Sequence, residues 1–251
     1  MRQDIAVYNE ATGFTIHSAG FCGKDRDDLS ENFRAHVEDG TILAFSLVQD
    51  SSPHIRLITD ALTREEDAEW VSKVVWKLRV PDGELVFEGG FDPRGPNDDF
   101  MRTVSVPPGD YRVEIYTLYW SINGLDTLHG DDREPFGSWF RRTRPGEEFP
   151  DIMKFYLGED PDDDPGHEDE WTEFYDSEDY EELEEPDMVD FIVRLTPLSG
   201  ADNLTLQCDD TGWFPVGLNP RKPAKCPIGI KFNRGDDDDD HDDDEDSDEE
   251  E

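Results

Sequence analysis

A chain of 251 residues in which 64 acidic side chains face 23 Lys and Arg has a formal net charge of −41. That balance excludes direct nucleic-acid binding, because phosphate backbones are held by Lys and Arg that release counterions. Three widely spaced cysteines, Cys22, Cys208 and Cys226, suit neither a disulfide framework nor a paired-cysteine zinc site. The sequence shows no N-terminal apolar region and no apolar run of about 18 residues, so the expectation is a cytoplasmic protein with no membrane contact.

In chain order, Ile5–Tyr8 and Phe14–His17 read as short strands. A polar stretch from Lys24 to Gly40 follows, with one helical turn expected near Leu29–Val37. Thr41–Val48 is an apolar run short enough for a buried strand, and His54–Leu62 places Ile55, Leu57 and Thr59 on one face. Thr63 and Glu66 stand at capping-box spacing, which predicts a helical turn between strands. Trp70–Val80 alternates most clearly: Val74, Trp76, Leu78 and Val80 point one way, Lys73, Lys77 and Arg79 the other. Pro81-Asp82-Gly83 turns the chain into Glu84–Glu88 as a hairpin partner.

Met101–Val106 and Tyr111–Tyr119 extend again on either side of Pro107-Pro108-Gly109-Asp110. Residues 121–158 read as loop-rich, and Val189–Thr196 as a strand; Leu204–Cys208 and Ile228–Phe232 are candidate terminal strands. Strands punctuated by Gly and Pro turns predict a mainly β fold, an antiparallel β-sandwich of jelly-roll-like form. Residues 1–235 are expected to form that single domain, with 159–187 as a long acidic insertion loop and 236–251 as a disordered acidic tail.

The passage Val104-Ser105-Val106-Pro107-Pro108-Gly109-Asp110-Tyr111-Arg112-Val113-Glu114-Ile115-Tyr116-Thr117 resembles the strand–turn–strand of the competence protein J family. Those are small β-sandwich proteins that inhibit a DNA-entry nuclease. The resemblance implies a sandwich fold and the notion of a protein inhibitor. It transfers no site residue, and this chain departs from the family in its length, its acidic insertion and its tail.

The charge is concentrated in two places. Residues 159–187 hold 17 acidic side chains and residues 236–251 hold 14, neither segment containing Lys or Arg; the rest of the chain carries only −10. The tail, beginning Asp236, Asp237, Asp238, Asp239 and Asp240, has almost nothing to bury. It reads either as a solubilising extension or as an electrostatic lure for a basic surface.

The insertion differs in kind. Trp171, Phe174, Tyr175, Tyr180 and Leu183 are interleaved with Glu168, Asp169, Glu170, Glu173, Asp176, Glu178, Asp179, Glu181 and Glu182. Aromatic anchors flanked by carboxylates suit a basic protein surface. The competing reading is that these aromatics pin the loop to the sandwich. Asp160-Pro161-Asp162-Asp163-Asp164-Pro165-Gly166 lacks the EF-hand pattern, so no specific metal site or cofactor is expected. The basic run Arg141-Arg142-Thr143-Arg144 is expected to pair with the insertion.

Catalytic motifs are missing: the six histidines form no HExxH or HxH pattern, and no GxSxG, Walker A or GxGxxG signature occurs. The functional expectation is a non-catalytic acidic binding protein that occludes a basic protein partner. An inhibitor or immunity-type protein for a nuclease or other DNA-binding enzyme, acting as a DNA mimic, is the leading form. A chaperone for basic nucleic-acid-binding proteins and a metal-dependent sandwich enzyme are the alternatives. Oligomeric state is left open.

Overall fold

The computed structural model describes residues 1–21, 26–90, 100–128, 134–200 and 202–234, with 26–31 described by backbone alone. Asp236–Glu251, expected as a disordered tail, lie outside the described residues.

Among the described residues nine strands form two sheets: β1 (Arg2–Ala6), β2 (Gly13–Ser18), β3 (Ile42–Ser46), β4 (His54–Ile58), β5 (Trp70–Val80), β6 (Glu84–Gly89), β7 (Met101–Ser105), β8 (Gly109–Leu118) and β9 (Phe191–Pro197). One sheet has the order β1-β4-β9-β8-β5 and the other β3-β2-β6-β7. Both faces contribute to one apolar core that includes Phe14, Ile16, Phe45 and Phe87 from one sheet and Ile55, Leu78, Val113 and Phe191 from the other. Phe14 and Phe45 meet Phe191 at centroid distances of 5.4 and 6.2 Å. The fold is therefore strand-rich, as the alternation predicts. It is not purely antiparallel: β4 and β9 run parallel, from Ile55 opposite Phe191 to Ile58 opposite Arg194. That pairing links residues far apart in the chain, and local patterning carries no information about it.

Strand β5 shows how local sequence produces the sheet. Val74, Trp76, Leu78 and Val80 are buried while Arg79 is exposed, because successive side chains project to opposite faces. The Val80–Gly83 turn carries the chain from β5 in one sheet to β6 in the other, so Glu84–Glu88 pairs with β2 and β7 and is not the hairpin partner expected for β5. Gly83 takes a positive φ of 77° that a side chain would oppose.

Seven α-helices among the described residues accompany the strands: α1 (Arg26–Asp39), α2 (Arg64–Glu69), α3 (Ile122–Thr127), α4 (Phe136–Thr143), α5 (Asp151–Glu159), α6 (Glu168–Tyr175) and α7 (Glu178–Glu181). Helix α2 begins with the expected capping box: Thr63 accepts from Glu66 N, and Glu66 returns to Thr63 N. Helix α1 is longer than the single turn expected, and Trp76 Nε1 donates to Val37 O at its end, 2.7 Å away.

Three expectations fail in the second half. Residues 121–158 are not loop-rich but hold α3, α4 and α5; the spacings Phe136/Trp139/Phe140 and Ile152/Tyr156, Met153/Leu157 are helical i, i+3 and i+4 patterns. Residues 159–187 are not a loop but carry a short 3₁₀ turn (Pro161–Asp163), α6 and α7. Leu204–Cys208 forms no strand, and Ile228–Phe232 contributes only a single bridge, Lys231 to Met188.

Since β8 and β9 are hydrogen-bonded neighbours, the chain leaves the sheet at Tyr119 and returns at Asp190 beside its starting point. This excursion has its own core of Tyr119, Trp120, Phe136, Trp139, Phe140, Met153, Leu157 and Trp171. The C-terminal segment clamps it: Arg144 Nε donates to Cys226 O at 2.6 Å, and Trp120 Nε1 to Pro227 O at 3.1 Å. Buried Glu69 accepts from the amides of Ile228 and Gly229 at 3.0 and 2.9 Å.

Candidate acidic partner-binding site

The acidic stretch is organised by one buried carboxylate. Asp164 is 1% exposed. Its Oδ2 accepts from Arg141 Nη2 at 2.8 Å, Arg141 Nε at 3.1 Å and Trp171 Nε1 at 2.9 Å. Gly137 lets the carboxylate approach α4, for a Cβ there would lie 2.5 Å from Asp164 Cβ. Charge-assisted and forked, this contact ties α4 to the start of the acidic segment. It is also the pairing expected for the basic run, though for one arginine only. Arg142 pairs with Glu134 at 2.8 Å, and Arg144 with Glu147 at 2.9 Å. Arg142 and Lys222 together hold the Glu134 carboxyl down at about 2.

An aromatic chain continues the attachment. Trp171 is edge-on to Phe149 at 5.1 Å and to Phe174 at 6.0 Å. Phe174 meets Tyr180 at 5.6 Å, and Tyr180 stacks on Phe155 of α5 at 6.1 Å. Gly158 makes that stacking possible, since a Cβ would come 2.5 Å from Tyr180 Cε2. Ser177 caps α7 through its hydroxyl to Tyr180 N. Of the five apolar residues singled out in the sequence, Trp171 is buried, Phe174, Tyr180 and Leu183 are half-buried, and only Tyr175 is exposed, at 48%.

The carboxylates take the opposite side. Asp169, Glu170, Glu173, Asp176, Glu178, Asp179, Glu181 and Glu182 are exposed, and Glu168 is half-buried, accepting from Gly166 N at 2.9 Å. Glu170 is, among the described residues, the member of this set within 4 Å of an arginine, 3.7 Å from Arg141, and it also lies 3.2 Å from the His167 imidazole. Among the described residues no Lys, Arg or His pairs with Asp169, Glu173, Asp176, Glu178, Asp179, Glu181 or Glu182. The carboxylates from Glu168 to Glu182 are thus carried by two consecutive short helices, α6 and α7, and the residues that flank them. The tail residues Asp236 to Asp240 fall outside the described residues.

A second polar cluster joins residues that lie far apart in the sequence. A cavity of about 190 Å³ is lined by His54, Trp120, Ile152, Glu185, Pro186, Asp187, Met188 and Asp190. Asp190 Oδ2 accepts from His54 N at 2.7 Å, and His54 Nδ1 lies 3.2 Å from Met188 O. Burial, reinforced by Glu185 and Asp187, pushes Asp190 up to about 7, while burial lowers His54. These residues are 136 positions apart along the chain, so no local signal announces them. Among the described residues no three His, Cys, Asp or Glu side chains are grouped to hold a metal ion. No helix among them is long and apolar enough to cross a membrane.

No protein-family model matches the chain, and no curated protein matches it. Two solved structures are similar to it. One, described as crocagin biosynthetic gene J, has a TM-score of 0.37 and 14% identity over 78% of this chain and 95% of its own. The other is ComJ of Bacillus subtilis, inhibitor of the DNA-degrading activity of NucA. It has a TM-score of 0.31 and 16% identity over 49% of this chain and 87% of its own. The second is a member of the family that the Pro-Gly-Asp-Tyr passage resembles. At these scores neither likeness assigns an activity or a partner to this chain.

Proposed function

We propose that this is a non-catalytic, cytoplasmic acidic binding protein whose residues 1–235 act as one jelly-roll-like β-sandwich domain and occlude a basic surface of a protein partner. In its most specific form it is an inhibitor or immunity-type protein for a nuclease or other DNA-binding enzyme, working by DNA mimicry. The observation that carries this reading is the two-sided character of α6 and α7. Trp171, Phe174 and Tyr180 attach the two helices, and five of their carboxylates (Asp169, Glu173, Glu178, Asp179 and Glu181), with the flanking Asp176 and Glu182, are exposed with no cation partner among the described residues. Carboxylates held on an anchored surface present a fixed negative field, which steers a basic partner and raises its on-rate. No step of chemistry on the partner is involved.

The tail, with 14 acidic side chains in residues 236–251, favours a second reading as a chaperone for basic nucleic-acid-binding proteins. One experiment separates the two. Purified DNA-binding enzymes captured from the host on the full chain are assayed for DNA cleavage or binding. The competitors are the wild type, a variant ending at Gly235, and a variant with Glu173, Asp176, Glu178, Asp179, Glu181 and Glu182 changed to their amides. An inhibitor loses its effect only in the amide variant; a chaperone loses it on tail removal. Full inhibition by all three proteins would overturn both.

A further inference from the structure

Next to the outward carboxylates lies an apolar groove of about 390 Å³, lined by Glu148, Phe149, Lys154, Glu170, Trp171 and Phe174. Three aromatic rings form its walls, with Trp171 and Phe149 fixed edge to face and Phe149 further held under the Arg141 guanidinium at 4.9 Å. The volume is within the range of sites that take a compact apolar group, about 300–1,000 Å³.

Its mouth is negative. Glu148 is exposed and has no ion-pair partner among the described residues. Glu170 is 69% exposed on the other side, 3.7 Å from an Arg141 whose guanidinium is already forked to the buried Asp164, and Glu173 stands one turn further along α6 with no cation partner among the described residues. Lys154 is turned to Asp151 at 3.3 Å, so its charge is offset locally.

The geometry points to this groove as a docking site for a basic segment of a protein partner, one that presents a large apolar side chain between Lys or Arg residues. The apolar side chain enters against Phe149, Trp171 and Phe174, and the flanking cations reach Glu148 and Glu170. Charge complementarity selects this occupant. A second copy of this chain would bring its own −41 to the contact, and an anionic lipid or acidic peptide would meet the same repulsion. An apolar anchor in a desolvated pocket also supplies what a purely acidic surface lacks. Such central contacts carry most of the binding energy of an interface, while exposed charge pairs contribute on-rate and little affinity. The inference rests on the reading of the chain as a binder of basic proteins, and it adds the element of selectivity.

The test uses the full chain and three fluorescein-labelled synthetic peptides followed by anisotropy at moderate salt. The first carries Leu and Phe between lysines and arginines, the second has those apolar residues replaced by Ala, and the third keeps Leu and Phe but replaces the bases with Gln. The first peptide is expected to bind about tenfold or more tightly than either of the others, a difference of about 1.4 kcal/mol. E148Q and E170Q together are expected to weaken it several-fold without moving the far-ultraviolet spectrum, and F174A to abolish the advantage of Leu and Phe over Ala. Equal binding of the two basic peptides would overturn the groove and leave the acidic surface standing. Equal binding of the first and third would overturn the role of its acidic rim. Binding of none of them would overturn the groove together with the broader reading on which it rests.

Discussion

Arg141 of α4 and Asp164, seven residues ahead of Trp171, form a forked contact across the base of the acidic segment, and Asp164 also receives the Trp171 indole. The two partners are unequal: Asp164 is buried, whereas Arg141 keeps 38% of its side chain exposed. Removing the arginine therefore strands a buried carboxylate, whereas neutralising the aspartate leaves a guanidinium that water can reach.

The asymmetry predicts an order. R141A is expected to cost about 2 kcal/mol, the usual penalty for an orphaned buried charge discounted for the exposed partner. D164N keeps an oxygen for Trp171 and is expected to cost about 1 kcal/mol. Urea denaturation midpoints of the two variants at neutral pH check it; equal or reversed costs would remove Asp164 from its role as organiser.

Asp190 makes stability depend on pH. Its native value is raised from 3.8 to about 7, so the native state holds the proton more tightly than the unfolded chain. Stability from this group is therefore greatest below about 4, falls as pH rises between about 4 and 7, and is flat above. D190N retains the acceptor for His54 N and is expected to flatten that slope. Urea titrations of wild type and D190N at pH 5 and pH 8 decide the matter, since the gap between the proteins must change in favour of D190N on going to pH 8.

Glu134 runs the opposite way. Arg142 and Lys222 hold it at about 2, so its contribution is present above 4.5 and lost as pH falls toward 2. Because the carboxylate is partly exposed, E134Q is expected to cost no more than about 1 kcal/mol at pH 7, with the cost shrinking in high salt. Thermal melts with and without added salt measure both effects.

Gly158 is where α5 admits Tyr180. G158A is expected to displace the ring and loosen α7 at a cost of about 1–3 kcal/mol. Limited proteolysis should then cut within residues 168–182 faster than in the wild type, while amide protection of β5 and β8 is retained. Unchanged cleavage would mean that the excursion is held by Asp164 and Trp171 alone.

How much was legible beforehand depends on the range of the interaction. The buried face of β5, the Pro81–Gly83 turn and the Thr63–Glu66 cap were readable because each is set by residues within a few positions of one another. Helices α4 and α5 were also readable in principle, from their i, i+3 and i+4 apolar spacing. Pro135 and Pro150 stand at their N-caps, where a proline marks a helix start.

Composition and local pattern by themselves determined that this chain is strand-rich, that its excess charge is confined to two segments, and that aromatic side chains are set among the carboxylates of the first. They could not determine which side those aromatics would face. That was decided when β8 and β9 paired and brought α4 and α5 under the acidic stretch, where Asp164, Trp171 and Tyr180 found partners. The same closure placed His54 against Asp190. The physical reason is common to all of them: burial and ion pairing are properties of neighbours in space, and these neighbours are brought together only by non-local strand pairing.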